Sequence, residues 1–318
     1  MKNQLILICL AAMIGLSVSC KKKETEDSAA LDEKTKTFND DGDRYKNASD
    51  GANDDVNAAI DQVPSMGRMV RPPVGTFATP CGFTIDSTQL SNKILFLNFD
   101  GVTYCGSPSR IRDGQIKVQL THGAFWGEVG AVLTITYINF KVTYFINNQP
   151  HTVNFNGAKT LENVNGHDWL GWLAGTATIK YRERALNITV DFDGGNNAVW
   201  NSARLTTWNY NPSTTDITFT AFGDSTVDGH ANTDSWGSNR YGYAFTTYYT
   251  TSIISDTHCG LWRPTSGELV HHVNGKDYTL TLGVNPDGSA HSGACGYGWK
   301  ITWTPDGGST TSKVFIYW

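Results

Sequence analysis

The strongest constraint on the fold is a long stretch, Thr76–Trp318, that is rich in aromatic residues and poor in charge. Only 33 of its 243 residues are charged, whereas 35 are aromatic. Apolar and polar residues alternate within short runs such as Ala185–Phe192 and Gln115–Thr121, which is typical of half-buried strands. No helix-length periodicity interrupts these runs. The stretch therefore predicts an all-β domain over residues 76–318.

Turn sequences between the runs indicate how the strands are connected. Asn274-Gly275 joins Glu268–Val273 to Tyr278–Val284, and an Asn-Gly pair between two alternating runs favours a two-residue hairpin. Hairpins produce antiparallel neighbours. We therefore expect an antiparallel β-sandwich, either a single one or two sandwich units packed end to end.

The amino terminus resembles an export signal. The apolar run Leu5–Val18 has 14 residues, fewer than the roughly 20 needed to span a bilayer, and it suits the hydrophobic region of a signal peptide. Small residues precede Cys20, as in the lipobox of bacterial lipoproteins. This pattern predicts a lipoprotein signal peptide over residues 1–19 and lipid attachment at Cys20. The three lysines Lys21–Lys23 leave an alternative, in which they retain the run as an uncleaved anchor.

Residues 20–75 differ sharply from the rest of the chain. Between Lys21 and Arg71, 21 of 51 residues are charged. Such a segment buries little apolar surface to offset the entropy lost on ordering, so we expect a disordered, flexible tether. The spacing of Val56, Ile60 and Val63 predicts one short helix within it, over residues 54–63, which Pro64 would end.

The cysteines indicate an oxidising compartment. Without Cys9 in the signal and Cys20 at the lipid, four remain, and four cysteines allow three pairings. Short separations favour Cys81–Cys105 and Cys259–Cys295. Four free, buried thiols are the alternative, whereas the spacing of the cysteines does not match a zinc site.

Two tryptophans on a short segment are candidates for glycan binding. Aromatic rings stack on sugar faces, and Trp169 and Trp172 could provide such a platform. Packing in the core is the competing interpretation, since tryptophan is mostly buried in sandwiches. The same alternatives apply to Trp299 and Trp303, which share one face of a strand.

No pattern in the sequence assembles a catalytic site. A glycosidase needs two carboxylates across a cleft, and nothing pairs any two of Asp100, Glu128, Glu162, Glu183, Asp191 and Glu268. Glu183 lies between Arg182 and Arg184, which predicts an ion pair on the surface.

Metal-binding patterns are equally weak. His271 and His272 are adjacent on a strand and point to opposite faces, while Asp224–Gly229 matches only half of a calcium loop. We expect no metal site and no cofactor. The net charge of −5 gives no basic surface for nucleic acid, so nucleic-acid partners are not expected.

Five segments carry a resemblance to a family of Bacteroidota β-rich surface lipoproteins of unknown function: Leu97–Gly101, Cys105–Arg110, Ala131–Tyr137, Lys180–Arg184 and Cys259–Pro264. The resemblance implies an outer-membrane lipoprotein at the cell surface and supplies no site residues. We therefore expect a lipid-anchored, non-catalytic structural or adhesive envelope protein. Its expected partners are the membrane, other envelope proteins or glycans. A glycan-binding module and, after it, a carbohydrate-active hydrolase are the alternatives.

Overall fold

The computed structural model describes residues 28–67, 81–105, 109–146, 148–261, 263–291, 293, 295–305 and 308–317. The predicted signal peptide 1–19, the lipid-attachment residue Cys20 and the predicted tether segments 20–27 and 68–75 lie outside the described residues. By its internal packing the chain divides between Asp40 and Asp41. The second unit, Asp41–Trp318, contains all the described strands, and we call it the sheet unit.

The predicted all-β, antiparallel, sandwich-like fold is confirmed, because strands dominate and every strand pair is antiparallel. The strands are β1 Phe83–Asp86, β2 Ile94–Cys105, β3 Arg110–His122, β4 Ala131–Ile146, β5 Gln149–Asn163, β6 Ile179–Phe192, β7 Asn196–Asn211, β8 Asp216–Gly223, β9 Ser225–Val227, β10 His230–Ser238, β11 Ala244–Asp256, β12 Ser266–Val273, β13 Lys276–Val284, β14 Gly298–Trp303 and β15 Thr311–Ile316. The helices are α1 Ser28–Asp61, α2 Pro64–Gly67 and α3 Trp169–Leu173, and a 3-10 turn covers Leu90–Asn92.

The strands form one hydrogen-bonded sheet that follows chain order from β1 to β7 and from β10 to β15. Between β7 and β11, one position in the sheet is shared by two strands. β8 pairs with one half of β7 and of β11, and β10 pairs with the other half of each. The predicted Asn-Gly hairpin joins β12 to β13, with Asn274 and Gly275 both at positive φ as its turn requires.

A line of β-bulges crosses the sheet from β3 to β7. The register shifts at neighbouring positions in each successive pair of strands, and Gly114, Asn139, Gly157 and Asn187 adopt positive φ there. At Gly114 a Cβ atom would lie 2.2 Å from the carbonyl oxygen of Asn139, so only glycine fits. Because a bulge bends its strand and increases its twist, the aligned bulges bend strands β3 to β7 along one line.

The described part of the predicted tether, residues 28–67, contains a longer helix than the sequence predicted. The short helix expected over residues 54–63 is part of a 34-residue helix, Ser28–Asp61, and from Asp41 onward this helix packs against the sheet instead of lying in solvent. Its buried apolar residues recur at helical spacing along one face: Tyr45, Ala48, Ala52, Val56, Ala59 and Ile60. Half of them are alanines, and small side chains let the helix approach the strands closely.

Charged residues of α1 also stabilise its packing. Asp41 binds Arg240, Asp50 binds Arg204, and Asp55 binds Arg112. We call these three contacts the helix clamps. A high proportion of charge therefore does not leave this part of α1 solvated, because its carboxylates meet guanidinium groups of the sheet unit.

A second hydrophobic cluster lies in the carboxyl-terminal part of the sheet. Its buried members are Ala221, Tyr249, Ile253, Leu269, Tyr278, Leu280 and Ile301. Trp299 and Trp303 are partly buried and pack against this cluster, which agrees with the core interpretation of that pair.

Both predicted disulfides are present. Cys81–Cys105 and Cys259–Cys295 have Cα–Cα distances of 5.9 and 5.3 Å. Cys81–Cys105 ties the segment before β1 to the end of β2, and Cys259–Cys295 joins two loops of the carboxyl-terminal strands. Among the described helices, none is both long and apolar enough to cross a membrane.

A packed α1 predicts a different response to substitution from that of a tether. We expect Ala48→Leu to lower the free energy of unfolding by about 1–3 kcal/mol, because Ala48 is 2% exposed and a larger side chain overpacks the interface. Asn47→Leu is the matched control at the exposed neighbouring position. Urea unfolding of both variants measures the difference, and equal stabilities would contradict the packing of this helix.

Candidate functional site

The most unusual chemistry in the described structure is a group of charged and polar side chains buried between α1 and the sheet. We call this group the buried charge cluster. It consists of Ser49, Asp50 and Asn53 from α1, Lys159 from β5, Glu183 from β6, Ser202 and Arg204 from β7, and Asp234 from β10. Asp50 lies at the edge of the cluster, with its side chain 39% exposed. Buried charges are costly unless they are paired, so their arrangement must be specific.

Strand alternation places the charges of the cluster on one face. In β6, Glu183 shares its side of the strand with Ile179 and Ala185, which are also buried. In the antiparallel pairing of β6 with β7, Glu183 lies opposite Arg204. Lys159 in β5 alternates in the same way with buried Leu161.

Glu183 is therefore not the surface ion pair that the sequence predicted, and that prediction is wrong. Its neighbours Arg182 and Arg184 point to the opposite face, where both bind Asp224 at 2.8 and 2.7 Å. Strand geometry separates a residue from its immediate neighbours, so the adjacent arginines could not pair with it.

The two carboxylate oxygens of Glu183 have different partners. Oε2 accepts hydrogen bonds from Lys159 Nζ at 2.8 Å and from Asn53 Nδ2 at 2.9 Å. Oε1 lies 3.4 Å from Ser202 Oγ and 3.5 Å from Arg204 Nη2. The carboxylate thus connects α1 to three different strands.

The two cations of the cluster also bind α1 directly. Lys159 Nζ donates to Ser49 Oγ at 2.6 Å and to the Ser49 carbonyl at 3.2 Å. Arg204 donates to the two carboxylate oxygens of Asp50 at 2.9 and 3.3 Å, and its Nε lies 3.7 Å from Asp234. Both cations therefore have partners on the helix as well as on the sheet.

These contacts fix the protonation of the cluster. Burial alone would raise the pKa of Glu183, but Lys159 and Arg204 outweigh it and lower that pKa from 4.5 to about 2. Burial would likewise lower the pKa of Lys159, and the Glu183 charge reverses the effect and raises that pKa. In the chain with a free Lys159 side chain, Lys159 and Glu183 are therefore an ion pair.

In the helix clamps Asp41–Arg240 and Asp55–Arg112, the pKa of the carboxyl group shifts in the opposite direction from that of Glu183. Burial raises the pKa of Asp41 to about 6 although Arg240 opposes the shift, and burial also raises the pKa of Asp55 against Arg112. Protonation in mildly acidic solution therefore removes the charge of Asp41 before that of Glu183. The centre of the cluster is the more acid-resistant attachment of the helix.

The predicted glycan platform is not formed as expected. Trp172 is 6% exposed, its Nε1 donates to the Trp208 carbonyl at 3.2 Å, and its ring packs against Tyr210. Trp169 is half-buried and meets Trp172 edge to face at 5.4 Å. Because α3 turns the Trp172 ring inward, the two tryptophans do not form one exposed stacking surface.

The carboxylates considered for a hydrolase are engaged in separate local contacts. Glu162 binds Arg182 on the face opposite to Glu183, so these two do not converge. The others accept hydrogen bonds from nearby donors: Asp100 from Thr103, Glu128 from Ala124, Asp191 from Gly195, and Glu268 from Thr250 and Thr281.

The histidine pair points to opposite faces of β12, as predicted. His271 Nδ1 lies 2.6 Å from Thr247 Oγ1, and His272 Nδ1 lies 2.6 Å from Asp277. Burial lowers the pKa of His271 to about 3, so that imidazole is neutral. Within the described ranges, no three His, Cys, Asp or Glu residues are grouped as metal ligands, and Asp224 of the half-matched calcium loop binds two arginines.

Sequence reasoning missed Ser49, Asn53, Lys159 and Arg204 as members of a site. A signal existed for the strand residues, since Lys159 has the parity of buried Phe155 and Leu161, and Glu183 has that of Ile179 and Ala185. For Ser49 and Asn53 the signal was weak, because it lay in a segment whose composition predicted disorder.

Comparison of the chain with protein-family models, with curated proteins and with solved structures found no match.

Removal of the central carboxylate should be costly. We expect Glu183→Gln to lower the free energy of unfolding by about 3–5 kcal/mol, because Lys159 and Arg204 stay buried without their shared counter-charge. Glu162→Gln is the matched control, since its pair with Arg182 is about one-third exposed and should contribute less than about 1 kcal/mol. Chemical denaturation at neutral pH compares them, and a small effect of Glu183→Gln would refute the central role of this carboxylate.

The lowered pKa of Glu183 also predicts a specific acid sensitivity. A carboxyl whose pKa is lower in the folded than in the unfolded protein contributes stability that is present above its unfolded value and is lost as pH falls. For Glu183 the loss should extend from pH 4.5 down to about 2. Unfolding free energies measured across this range should decline less steeply in Glu183→Gln than in the wild type, and parallel slopes would contradict the assignment.

Proposed function

We propose that the protein is a lipid-anchored protein of the bacterial cell envelope, in which the sheet unit has a structural or adhesive role at the outer-membrane surface. The single observation that carries the proposal is the packing of α1. This helix begins eight positions after Cys20, and its later part is fixed to the sheet by the helix clamps and the buried charge cluster. A lipid on Cys20 would therefore be connected to the most heavily anchored element of the fold.

The physical advantage of this arrangement is resistance to pulling. Force applied through a lipid at Cys20 would reach α1 before the sheet, and it would have to break several ion pairs together to detach the helix. Asp41, Asp50 and Asp55 each bind an arginine of a different part of the sheet unit. Such a load-bearing connection suits a protein that joins a membrane to something outside it.

The sequence supports the envelope location. The run before Cys20 has the length of a signal-peptide hydrophobic region, and two disulfides suit an oxidising compartment. The resemblance to surface lipoproteins of Bacteroidota agrees with both. Lipids on Cys20 would each contribute roughly 0.8 kcal/mol per buried methylene, and more than one chain makes attachment lasting.

The glycan-binding alternative is less well supported. Because Trp172 is buried, it does not form an exposed stacking surface together with half-buried Trp169. For adhesion we therefore favour a protein or polymer partner bound elsewhere on the sheet unit. A glycan array with the full chain tests this directly, since specific retention lost in Trp169→Ala would restore the glycan-binding function.

Lipid anchoring makes a clear prediction. In a bacterial expression host with a lipoprotein pathway, the wild-type protein should fractionate with the envelope, and Cys20→Ala should move it to the soluble fraction, because the acylated sulfur is lost. Cys9→Ala is the matched control and should leave the distribution unchanged. Mass spectrometry of the amino-terminal peptide identifies the lipid. A membrane-bound Cys20→Ala protein with an intact amino terminus would instead support the uncleaved-anchor alternative.

A complementation experiment tests whether the function of the protein requires the lipid anchor. In the native host, loss of the protein should weaken adhesion or envelope resistance to detergent, and the wild type but not Cys20→Ala should restore it. Full rescue by the soluble variant would refute a load-bearing role.

A further inference from the structure

Three side chains of the buried charge cluster carry the functional groups of an amide-forming reaction, and two of them hydrogen-bond to the same atom of the third. Lys159 supplies an amine, Asn53 an amide carbon, and Glu183 a carboxylate that touches both. Lys159 Nζ and Asn53 Nδ2 lie 2.8 and 2.9 Å from the same atom, Glu183 Oε2. The two nitrogens therefore cannot be farther apart than the sum of these distances, and the amine is held beside the amide.

The surroundings of Lys159 and Glu183 largely exclude water, and Asn53 is partly buried beside them. The side chains of Lys159 and Glu183 are 1% and 4% exposed, and Lys159 Nζ lies 5.8 Å from the centre of the Tyr137 ring. Tyr45 packs nearby between Phe155 and Trp200. In such a site an amine competes with little water for an adjacent carbonyl carbon, and a fixed orientation replaces a bimolecular encounter.

The amide of Asn53 has an unusual feature. Its Oδ1 is buried and has no hydrogen-bond partner within the described structure, whereas buried polar atoms are normally hydrogen-bonded. A half-turn of the amide would place this oxygen on Glu183 in place of Nδ2. A protonated Glu183 would then donate to it and polarise the carbonyl, which is the role of a general acid.

We propose that Lys159 and Asn53 become joined by an intramolecular amide bond, with Glu183 as the general acid and base. Lys159 first transfers one proton to Glu183, which leaves a neutral amine and a carboxylic acid. The amine nitrogen attacks Asn53 Cγ and forms the new C–N bond, while Glu183 donates a hydrogen bond to the developing oxyanion. The bond from Cγ to Nδ2 then breaks.

The atoms and charges of this reaction balance. Two of the three protons on Lys159 Nζ end on the departing nitrogen through Glu183, so the leaving group is ammonium and the third proton remains on the new amide. Glu183 returns to a carboxylate, with Arg204 as its counter-charge. No atom changes its oxidation state, so the reaction needs no oxidant or reductant, and it needs no metal. The ion pair is the ground state of the unreacted chain, so proton transfer within it is the uphill step of the reaction, and the departure of ammonium makes the product irreversible.

The bond would attach α1 covalently to β5. It goes beyond the proposed function and is independent of it, because the reacting groups lie in Asp41–Trp318 and do not involve Cys20. Where a lipid does anchor the chain, the same bond would prevent force from stripping the helix off the sheet.

Intact-mass spectrometry of the full, purified and reduced chain tests the proposal. We expect the wild type to be lighter than its sequence mass by one ammonia, and tandem spectra to contain a branched peptide that links Lys159 to Asn53. Asn53→Ala and Lys159→Arg should both have their full sequence mass. Asn57→Ala is the matched control one turn further along α1, and it should keep the deficit. A wild-type chain with its full sequence mass would overturn the proposal.

Cleavage at methionine gives a second readout that does not depend on a small mass difference. Met66 and Met69 lie between Asn53 and Lys159 in the chain, and both disulfides lie after them. Under reducing, denaturing conditions the fragment ending at Met66 should remain attached to the fragment beginning at Val70 in the wild type. It should separate in Asn53→Ala. Separate fragments in the wild type would refute the bond.

Two controls distinguish the bond from other outcomes. A succinimide at an Asn-Gly sequence such as Asn274-Gly275 also loses ammonia, but its deficit would persist in Lys159→Arg and would not join the fragments; that result would overturn the proposal. Glu183→Gln should fold, if at all, without the bond. Should it fail to fold, circular dichroism of Asn53→Ala confirms that the unlinked chain folds and keeps the comparison valid.

Discussion

The remaining structure depends on the hydrogen bonds and ion pairs of the Glu183 carboxylate. It is shared by Lys159 and Arg204 on the neighbouring strands and by Asn53 on α1, so it joins the helix to the sheet at its centre. A lone charge in this position would be prohibitive, and a lone pair would contribute little after desolvation. What makes the arrangement stable is that each cation also binds the helix, which leaves no charge of the central group without a partner.

Charge in α1 therefore has the opposite effect from the one that its composition suggests. Counted along the chain, the aspartates and lysines around this helix indicate a solvated segment. Placed on a helix, Asp41, Asp50 and Asp55 meet arginines of the sheet unit, while the alanines between them permit close approach. The bulged line of the sheet, marked by Gly114 and Gly157, bends the strands against which this part of α1 packs.

Local patterns explain why part of this structure could be predicted and part could not. Alternation and Asn-Gly turns are encoded within a few residues, so the strands, the β12–β13 hairpin and the antiparallel class follow from the sequence. Short separations likewise favoured the two disulfides. The packing of α1 depends on partners more than 50 positions away, such as Arg112 for Asp55, which no local pattern contains. Glu183 was misplaced because its neighbours in sequence were taken as its neighbours in space, although a strand directs them to opposite faces.

The two ends of the strand order also have a consequence for how the molecule meets its own copies. The order of the described strands begins at β1, which has four residues, and ends at β15, which has six and includes the exposed Lys313. An outer strand invites another extended chain to extend the sheet, and brevity or a lysine discourages it. Short outer strands therefore protect a large sheet against propagating from one copy of the chain to the next into fibres.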